Sequence, residues 1–495
     1  MTNPEPQVAS TTESSDELAR RLMLALLALQ DQQQRTAGVR AELQRLQRSR
    51  SWRLTGPLRA LLEWLSAKQG VASTIPPLKA GDSAEDRRLA DASHLLRDRV
   101  GLHSGNESRP PERARQLGPS LFVDVTELAL EDHGAGVQRV VRRLLVELML
   151  SPQLRAEPVR LASNGRYVHA REFLAGMLGL EAADVGSDMP IHPRPGDRFL
   201  GLDLLRDRPT EVGAAWRELR ARGVRVSVMV YDLLPLSHPE WFPQGMSARF
   251  DAWLTQVLEV ADQAVCISRT VAGELRERSP LRVGQRQPVI GSFELGADLE
   301  GWLLPVRHID AMAAGHPRFL VVGTIEPRKG HAQTLAAFEG LWAQGSQVQL
   351  LIAGRHGWGT DDFANHLRKH PESGKRLLWI DAPDDADLAA AYRDSTVLLA
   401  PSLGEGFGLP LVEAAAHGLP ALARDLPVFR EVGGPGVDYF SGESPAQLQA
   451  AIEDWLRRWE TGRIAVTDIV AARSWRESAS DLLRALDNED LQMLA

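Results

Sequence analysis

Short apolar runs bounded by turn residues and alternating with helical patterns occur in two tandem groups, and this pattern limits the possible fold more than any other. The first group opens with Ser120-Leu-Phe-Val-Asp-Val125 and includes Arg225-Val-Ser-Val-Met-Val-Tyr231 and Gln263-Ala-Val-Cys-Ile267. The second opens with Arg318-Phe-Leu-Val-Val322 and continues through Val348-Gln-Leu-Leu-Ile-Ala353, Leu377-Leu-Trp-Ile380 and Thr396-Val-Leu-Leu-Ala400. Runs this apolar are strands buried on both faces, the environment of a parallel sheet covered by crossover helices. Two such units in tandem make an α/β chain with a cleft between the carboxyl ends of its sheets.

One segment after the last of these runs carries the densest chemistry. Leu403-Gly-Glu-Gly-Phe-Gly-Leu-Pro-Leu-Val-Glu-Ala-Ala-Ala-His-Gly418 sets Glu405 and Glu413 on either side of a glycine-rich turn that enters a helix. Gly406 and Gly408 leave backbone N–H groups free to approach an anion where the helix dipole is positive, with Phe407 and Leu409 completing the turn. Glu413 falls one to two turns into the helix, where a carboxylate can accept hydrogen bonds from vicinal hydroxyls. Upstream, Phe319-Leu-Val-Val-Gly-Thr-Ile-Glu-Pro-Arg-Lys-Gly-His331 places Arg328 and Lys329 after a strand and a glycine turn. Both cations can reach a pyrophosphate above the sheet. A solvated basic turn is the alternative, but the macrodipole disfavours cations at a helix start.

Glu405-Gly-Phe-Gly-Leu-Pro-Leu-Val-Glu413 resembles the E-x7-E signature of retaining glycosyltransferases of the GT-B fold, in the group 1 family. The Phe319–His331 segment and the buried run Leu350-Leu-Ile-Ala-Gly354 are similar to that family's diphosphate-gripping turn and neighbouring strand, although Thr324 stands where many relatives carry arginine. The resemblance implies two Rossmann-like lobes with parallel sheets facing a central cleft. In the first lobe, Asp124-Val-Thr and Gly136-Val-Gln-Arg-Val-Val-Arg142 resemble bacterial mannosyl- and rhamnosyltransferases of O-antigen and capsule assembly. Gly134 and Gly136 are then expected to approach the donor from the opposite side of the cleft. Arg139 and Arg142 lie on a helix, solvated or paired with acids. Val230-Tyr-Asp-Leu-Leu-Pro-Leu-Ser-His238 is similar to a family element in which an aspartate and a histidine face the donor sugar, which implies that Asp232 accepts a hydroxyl hydrogen bond or helps to deprotonate the acceptor and that His238 donates to a phosphate or hexose oxygen. A lone Asp or His in a loop is otherwise a turn former. Ser268 and Arg269 are weaker candidates.

Bulk properties narrow the rest. A chain of 495 residues has room for about two to four domains. The net charge of −8 argues against nucleic acid as a partner. A single cysteine, Cys266, excludes an internal disulfide and a cysteine zinc cage. The acidic pairs Asp361-Asp362 and Asp384-Asp385 read as helix caps rather than metal ligands, and no metal or cofactor is expected. The first apolar run, Leu22–Leu29, is too short to span a bilayer and lacks the leader of a secretory signal, so the expected location is cytoplasmic, with a peripheral position at the inner membrane face.

The expected division is residues 1–16 disordered, 17–68 a helical arm, 69–118 a linker, 119–312 the acceptor-side lobe, 313–465 the donor lobe and 466–495 a helix crossing back to the first lobe. In the arm, Trp52, Leu54, Leu58, Leu61, Trp64 and Leu65 alternate with Arg48, Arg50, Arg53 and Arg59. That pattern suits an anionic membrane surface, packing on the protein's own lobe, or a coiled-coil partner.

Taken together, the resemblance implies a retaining hexosyltransferase. GDP-mannose or a GDP-deoxyhexose such as GDP-rhamnose is the donor, and a lipid-linked surface glycan the acceptor. In this scheme Arg328, Lys329 and the Gly406–Gly408 amides assist the leaving nucleotide, Glu413 binds ribose, and Glu405 steadies charge at the anomeric carbon. A UDP-sugar donor and a non-catalytic scaffold are the alternatives.

Overall fold

The computed structural model describes residues 118–131, 136–151, 154–177, 187–279, 287–297, 316–464 and 473–487. The expectations for residues 1–16, 17–68 and 69–117, and for Gly134, lie outside the described residues. Contacts divide the chain into two compact units, residues 108–171 with 187–495, and residues 1–107 with 172–186. Of the second, only the end of the helix Arg171–Met177 is described.

The larger unit holds two sheets. The first comprises β1 (Ser120–Asp124), β2 (Arg155–Leu161), β3 (Tyr167–His169), β4 (Arg198–Gly201), β5 (Arg225–Val230), β6 (Gln263–Cys266) and β7 (Val289–Ser292), in the order β3-β2-β1-β4-β5-β6-β7. All neighbours are parallel except β2 and β3, which pair antiparallel. The second comprises β8 (Arg318–Val322), β9 (Gln349–Ala353), β10 (Leu377–Ile380), β11 (Val397–Ala400), β12 (Ala421–Arg424) and β13 (Asp438–Phe440), in the parallel order β10-β9-β8-β11-β12-β13. Strand order reverses between β1 and β4 in one sheet and between β8 and β11 in the other. Doubly wound sheets bind ligands at the carboxyl ends beside such reversals, and the loops after β8 and β11 are the two glycine-bearing segments singled out above.

The strands are buried because helices cover both faces. Phe319, Val321, Leu350, Ile352, Phe338 and Trp455 meet on one side of the second sheet; Leu320, Leu351, Leu398, Leu411, Tyr392 and Phe429 meet on the other. Helix starts follow local chemistry: Asp384 accepts from the Asp387 N–H in a capping box, and Ser444 forms another with Gln447. Asp361 and Asp362 are not caps. Thr360 occupies the cap position, and the two acids sit in the first turn, where the helix dipole favours negative charge. Cys266 is fully buried in β6, and burial pushes its thiol well above the ordinary value. Helix Trp475–Asp487 lies against the first lobe, with Ser478 Oγ donating to the Glu294 carbonyl (2.8 Å) and Gln263 Nε2 to the Ala485 carbonyl (3.3 Å). Among the described residues, no helix is long and apolar enough to cross a membrane.

Candidate active site

The loops after β8 and β11 interlock through charge. Lys329 Nζ lies 2.5 Å from Glu405 Oε1, and Arg328 reaches Glu405 Oε2 at 3.0 Å and the Gly404 carbonyl at 3.1 Å. Ser402 Oγ donates to Glu405 Oε1 at 2.7 Å, and the Leu403 N–H donates to the Arg328 carbonyl at 2.7 Å. Glu326 lies 2.7 Å from the Arg328 guanidinium. Burial works against the charge on Glu405, but Lys329 and Arg328 outweigh it and hold the carboxyl at about 2. A carboxylate so fixed is a standing negative charge rather than a proton donor. The two cations are correspondingly engaged, so a diphosphate would share them with Glu405.

Asp232 joins this cluster from the first lobe, at the carboxyl end of β5. Burial raises its carboxyl above the ordinary range against the opposing charge of Arg328, and the Leu234 N–H donates to it at 3.1 Å. The chain closes tightly here: a Cβ on Gly406 would lie 2.0 Å from the Tyr231 carbonyl oxygen and 3.1 Å from Asp232 Cβ. Ser268 Oγ donates to the Gly406 carbonyl at 2.8 Å and also caps helix Arg269–Arg278. Phe407 is buried, and Gly408, at φ +110°, precedes helix Leu409–Ala416, whose first residue is Leu409. His238 is placed differently from Asp232. It bonds Glu240 (3.1 Å) and stacks on Trp241 with ring centroids 3.9 Å apart.

Glu413, on helix Leu409–Ala416, is only 1% exposed. Tyr392 donates its hydroxyl to Oε2 at 2.6 Å, and the guanidinium of Arg139 from the first lobe pairs with Oε1. One turn further along helix Gly136–Leu150, Arg143 pairs with Asp385 at 2.7 Å. Gly136 starts that helix and is exposed.

Comparison with known proteins settles what these loops belong to. The family model for glycosyl transferases group 1 matches residues 307–465, a span that contains Arg328, Lys329, Glu405 and Glu413. Residues 307–465 are a group 1 glycosyltransferase domain. Over 384 residues the chain is 37% identical to the serotype-specific mannosyltransferase WbdA of Escherichia coli, covering 75% of this chain and 47% of WbdA. It is 36% identical over 191 residues to a phosphatidyl-myo-inositol mannosyltransferase of Mycobacterium leprae, covering 35% of this chain and 48% of the relative. The chain therefore spans about half the length of the curated relatives it matches. Among solved structures, Anabaena Alr3699/HepE in complex with UDP and glucose aligns at a TM-score of 0.53 and 15% identity, covering 75% of this chain and 100% of that one. That likeness is one of fold, and the fold is GT-B.

Around the glycosyltransferase domain the structure adds contacts that sequence patterns did not supply. Tyr392 holds Glu413, the acid that Arg139 meets, Asp385 holds Arg143, and Glu431 accepts from the Arg269 and Thr270 N–H groups (2.7 and 2.8 Å), capping a first-lobe helix from the second lobe. Arginines at positions 139, 142 and 143 on one helix were a visible signal, but the acids that Arg139 and Arg143 meet stand more than 240 residues away in sequence. Asp124 is fully buried, bonded to Thr126 Oγ1 (2.5 Å) and the Tyr167 hydroxyl (2.7 Å), and burial lifts its carboxyl to about 7 despite those bonds. On the far helices, Glu339, His366 and His370 come within ligand range of one ion. The Glu372 N–H donates to His370 Nδ1 at 3.1 Å, however, so Nε2 carries the proton and donates to Glu339 at 3.1 Å. A metal on Nε2 would have to displace that proton and break the backbone bond.

Proposed function

We propose that this chain is a retaining mannosyltransferase that moves mannose from GDP-mannose to a lipid-linked surface glycan with an α-linkage, working in the cytoplasm at the inner membrane face. The observation that carries this reading is the cluster of Glu405, Arg328 and Lys329 beside the strand reversal of a group 1 domain, with Asp232 facing it. The mannosyltransferase names of both relatives support the choice of sugar.

In this reading the diphosphate lies against the Gly406–Gly408 amides at the start of helix Leu409–Ala416, with Arg328 and Lys329 taking up the charge of the leaving nucleotide. Gly136 approaches the donor from the first lobe, and Phe407 and Leu409 shape the turn. Glu413 holds the ribose. As the glycosidic C–O bond breaks, positive charge develops at the anomeric carbon, and Glu405, ionised throughout the physiological range, stabilises it. Asp232, whose raised carboxyl is suited to exchanging a proton, receives the acceptor hydroxyl proton, and His238 contacts the sugar or acceptor from the adjoining turn.

The test is transfer assayed with GDP-mannose, GDP-rhamnose and UDP-glucose on a lipid-linked acceptor, with NMR of the product. An α-mannosyl product from GDP-mannose is expected; transfer from UDP-glucose alone, or a β-linked product, would overturn the proposal. For the arm, deleting residues 1–68 should leave donor hydrolysis intact while reducing binding to anionic vesicles or changing the oligomeric state. A truncated protein unchanged in both would remove either role.

A further inference from the structure

Glu413, read above as the ribose ligand, is already engaged on both oxygens, and its two partners differ in kind. Tyr392 belongs to the same lobe and is packed in its core, 1% exposed. Arg139 comes from the other lobe, on helix Gly136–Leu150, with its side chain 15% exposed. A carboxylate only 1% exposed receives a diol only where one of its donors withdraws, and the donor that a movement between lobes removes is Arg139. The contact is also incompletely satisfied, because Arg139 Nε is buried without an acceptor. Arg143 and Asp385 repeat the pairing one turn along the same helix, so a single shift of that helix releases both.

We propose that Arg139 is a first-lobe competitor for Glu413, which the vicinal ribose hydroxyls of the donor must displace, so that this ion pair gates donor entry. The proposal rests on the ribose role of Glu413. Burial opposes the Arg139 charge, but Glu413 and then Asp385 outweigh it and raise its pKa, so the competitor is charged at every pH at which the protein is folded. A ligand that binds only the released form has its affinity lowered by the fraction of molecules in that form. Removing the competitor should restore that fraction.

Isothermal titration with GDP, and with UDP alongside, on the full chain and its R139M and E413Q variants tests this. R139M should bind the nucleotide about tenfold more tightly, corresponding to a released form of roughly one part in ten in the parent protein, while E413Q should bind more weakly. Weakened E413Q with R139M unchanged or weaker would overturn the gate and leave the ribose reading standing. E413Q binding as tightly as the parent would overturn both. Because R139M leaves a buried carboxylate without its counter-charge, hydrogen exchange of the unaltered protein gives a readout that needs no variant. Saturating nucleotide should speed exchange at Val137–Val141 if Arg139 is released, and slower or unchanged exchange there contradicts the gate.

Discussion

At the residue scale, Glu405 joins charge, burial and chemistry in one carboxylate. Its folded pKa, about 2, lies below its ordinary value of 4.5. The group therefore contributes stability that is present above pH 4.5 and is lost as pH falls toward 2, about 3 kcal/mol in all. E405Q should abolish this component. The gap in unfolding free energy between parent and variant, measured by urea denaturation, should narrow from pH 6 to pH 3, and a constant gap would count against the ion cluster. The same variant should lose about a hundredfold to a thousandfold in kcat, with nucleotide affinity little changed. Glu405 could be picked out from sequence because a glycine-flanked acid before a helix is a local pattern. Its pairing with Arg328 and Lys329 could not, because those cations lie 77 and 76 residues away and only the parallel register of β8 and β11 brings them together.

At the scale of single elements, the turn before helix Leu409–Ala416 works only with a bare backbone. A methyl group on Gly406 would collide with the Tyr231 carbonyl. G406A should therefore keep its helical circular dichroism yet lose transfer by more than about a hundredfold, a 1 Å displacement near the chemistry sufficing for that; retained activity would show that the two lobes need not meet at this glycine. Helix His331–Ala343 carries a different liability. His331 donates toward the Thr324 carbonyl (3.2 Å), and burial lowers its pKa to about 4. Folded His331 is neutral where the unfolded residue is charged, so stability is lost as pH falls from 6.5 toward 4, by about 3 kcal/mol. H331Q keeps a donor but does not titrate, and thermal unfolding at pH 4.5 and 7.5 should show a smaller acid loss than in the parent.

Strands β1, β5, β6, β8, β9, β10 and β11 were legible to within one residue because short apolar runs mark burial. Strands β2 and β3 were not. Arg155-Ala-Glu-Pro-Val-Arg-Leu161 alternates charged and apolar residues around a proline, and its antiparallel partner β3 has only three residues. Such segments take their identity from the sheet that receives them.

At the scale of the whole molecule, loops and helices that follow the strands of the two sheets meet around Gly406 and Glu413, and helix Trp475–Asp487 packs on the first lobe. Trp475 is 2% exposed, and its backbone would lie 2.5 Å from a Cβ on Gly296. W475A should cost about 3–5 kcal/mol in denaturant unfolding, and a loss near zero would mean that this helix only rests on the lobe. Two tandem sheets could be read from the sequence, but the ion pairs between lobes could not, since helix patterns do not say which acid an arginine meets. A crystal structure of the protein with GDP-mannose tests the central claim most directly. The account predicts the diphosphate against the Gly406–Gly408 amides, the ribose on Glu413 with Arg139 withdrawn, and the anomeric carbon beside Glu405; a nucleotide bound elsewhere, with the Glu405 cluster untouched, would contradict it.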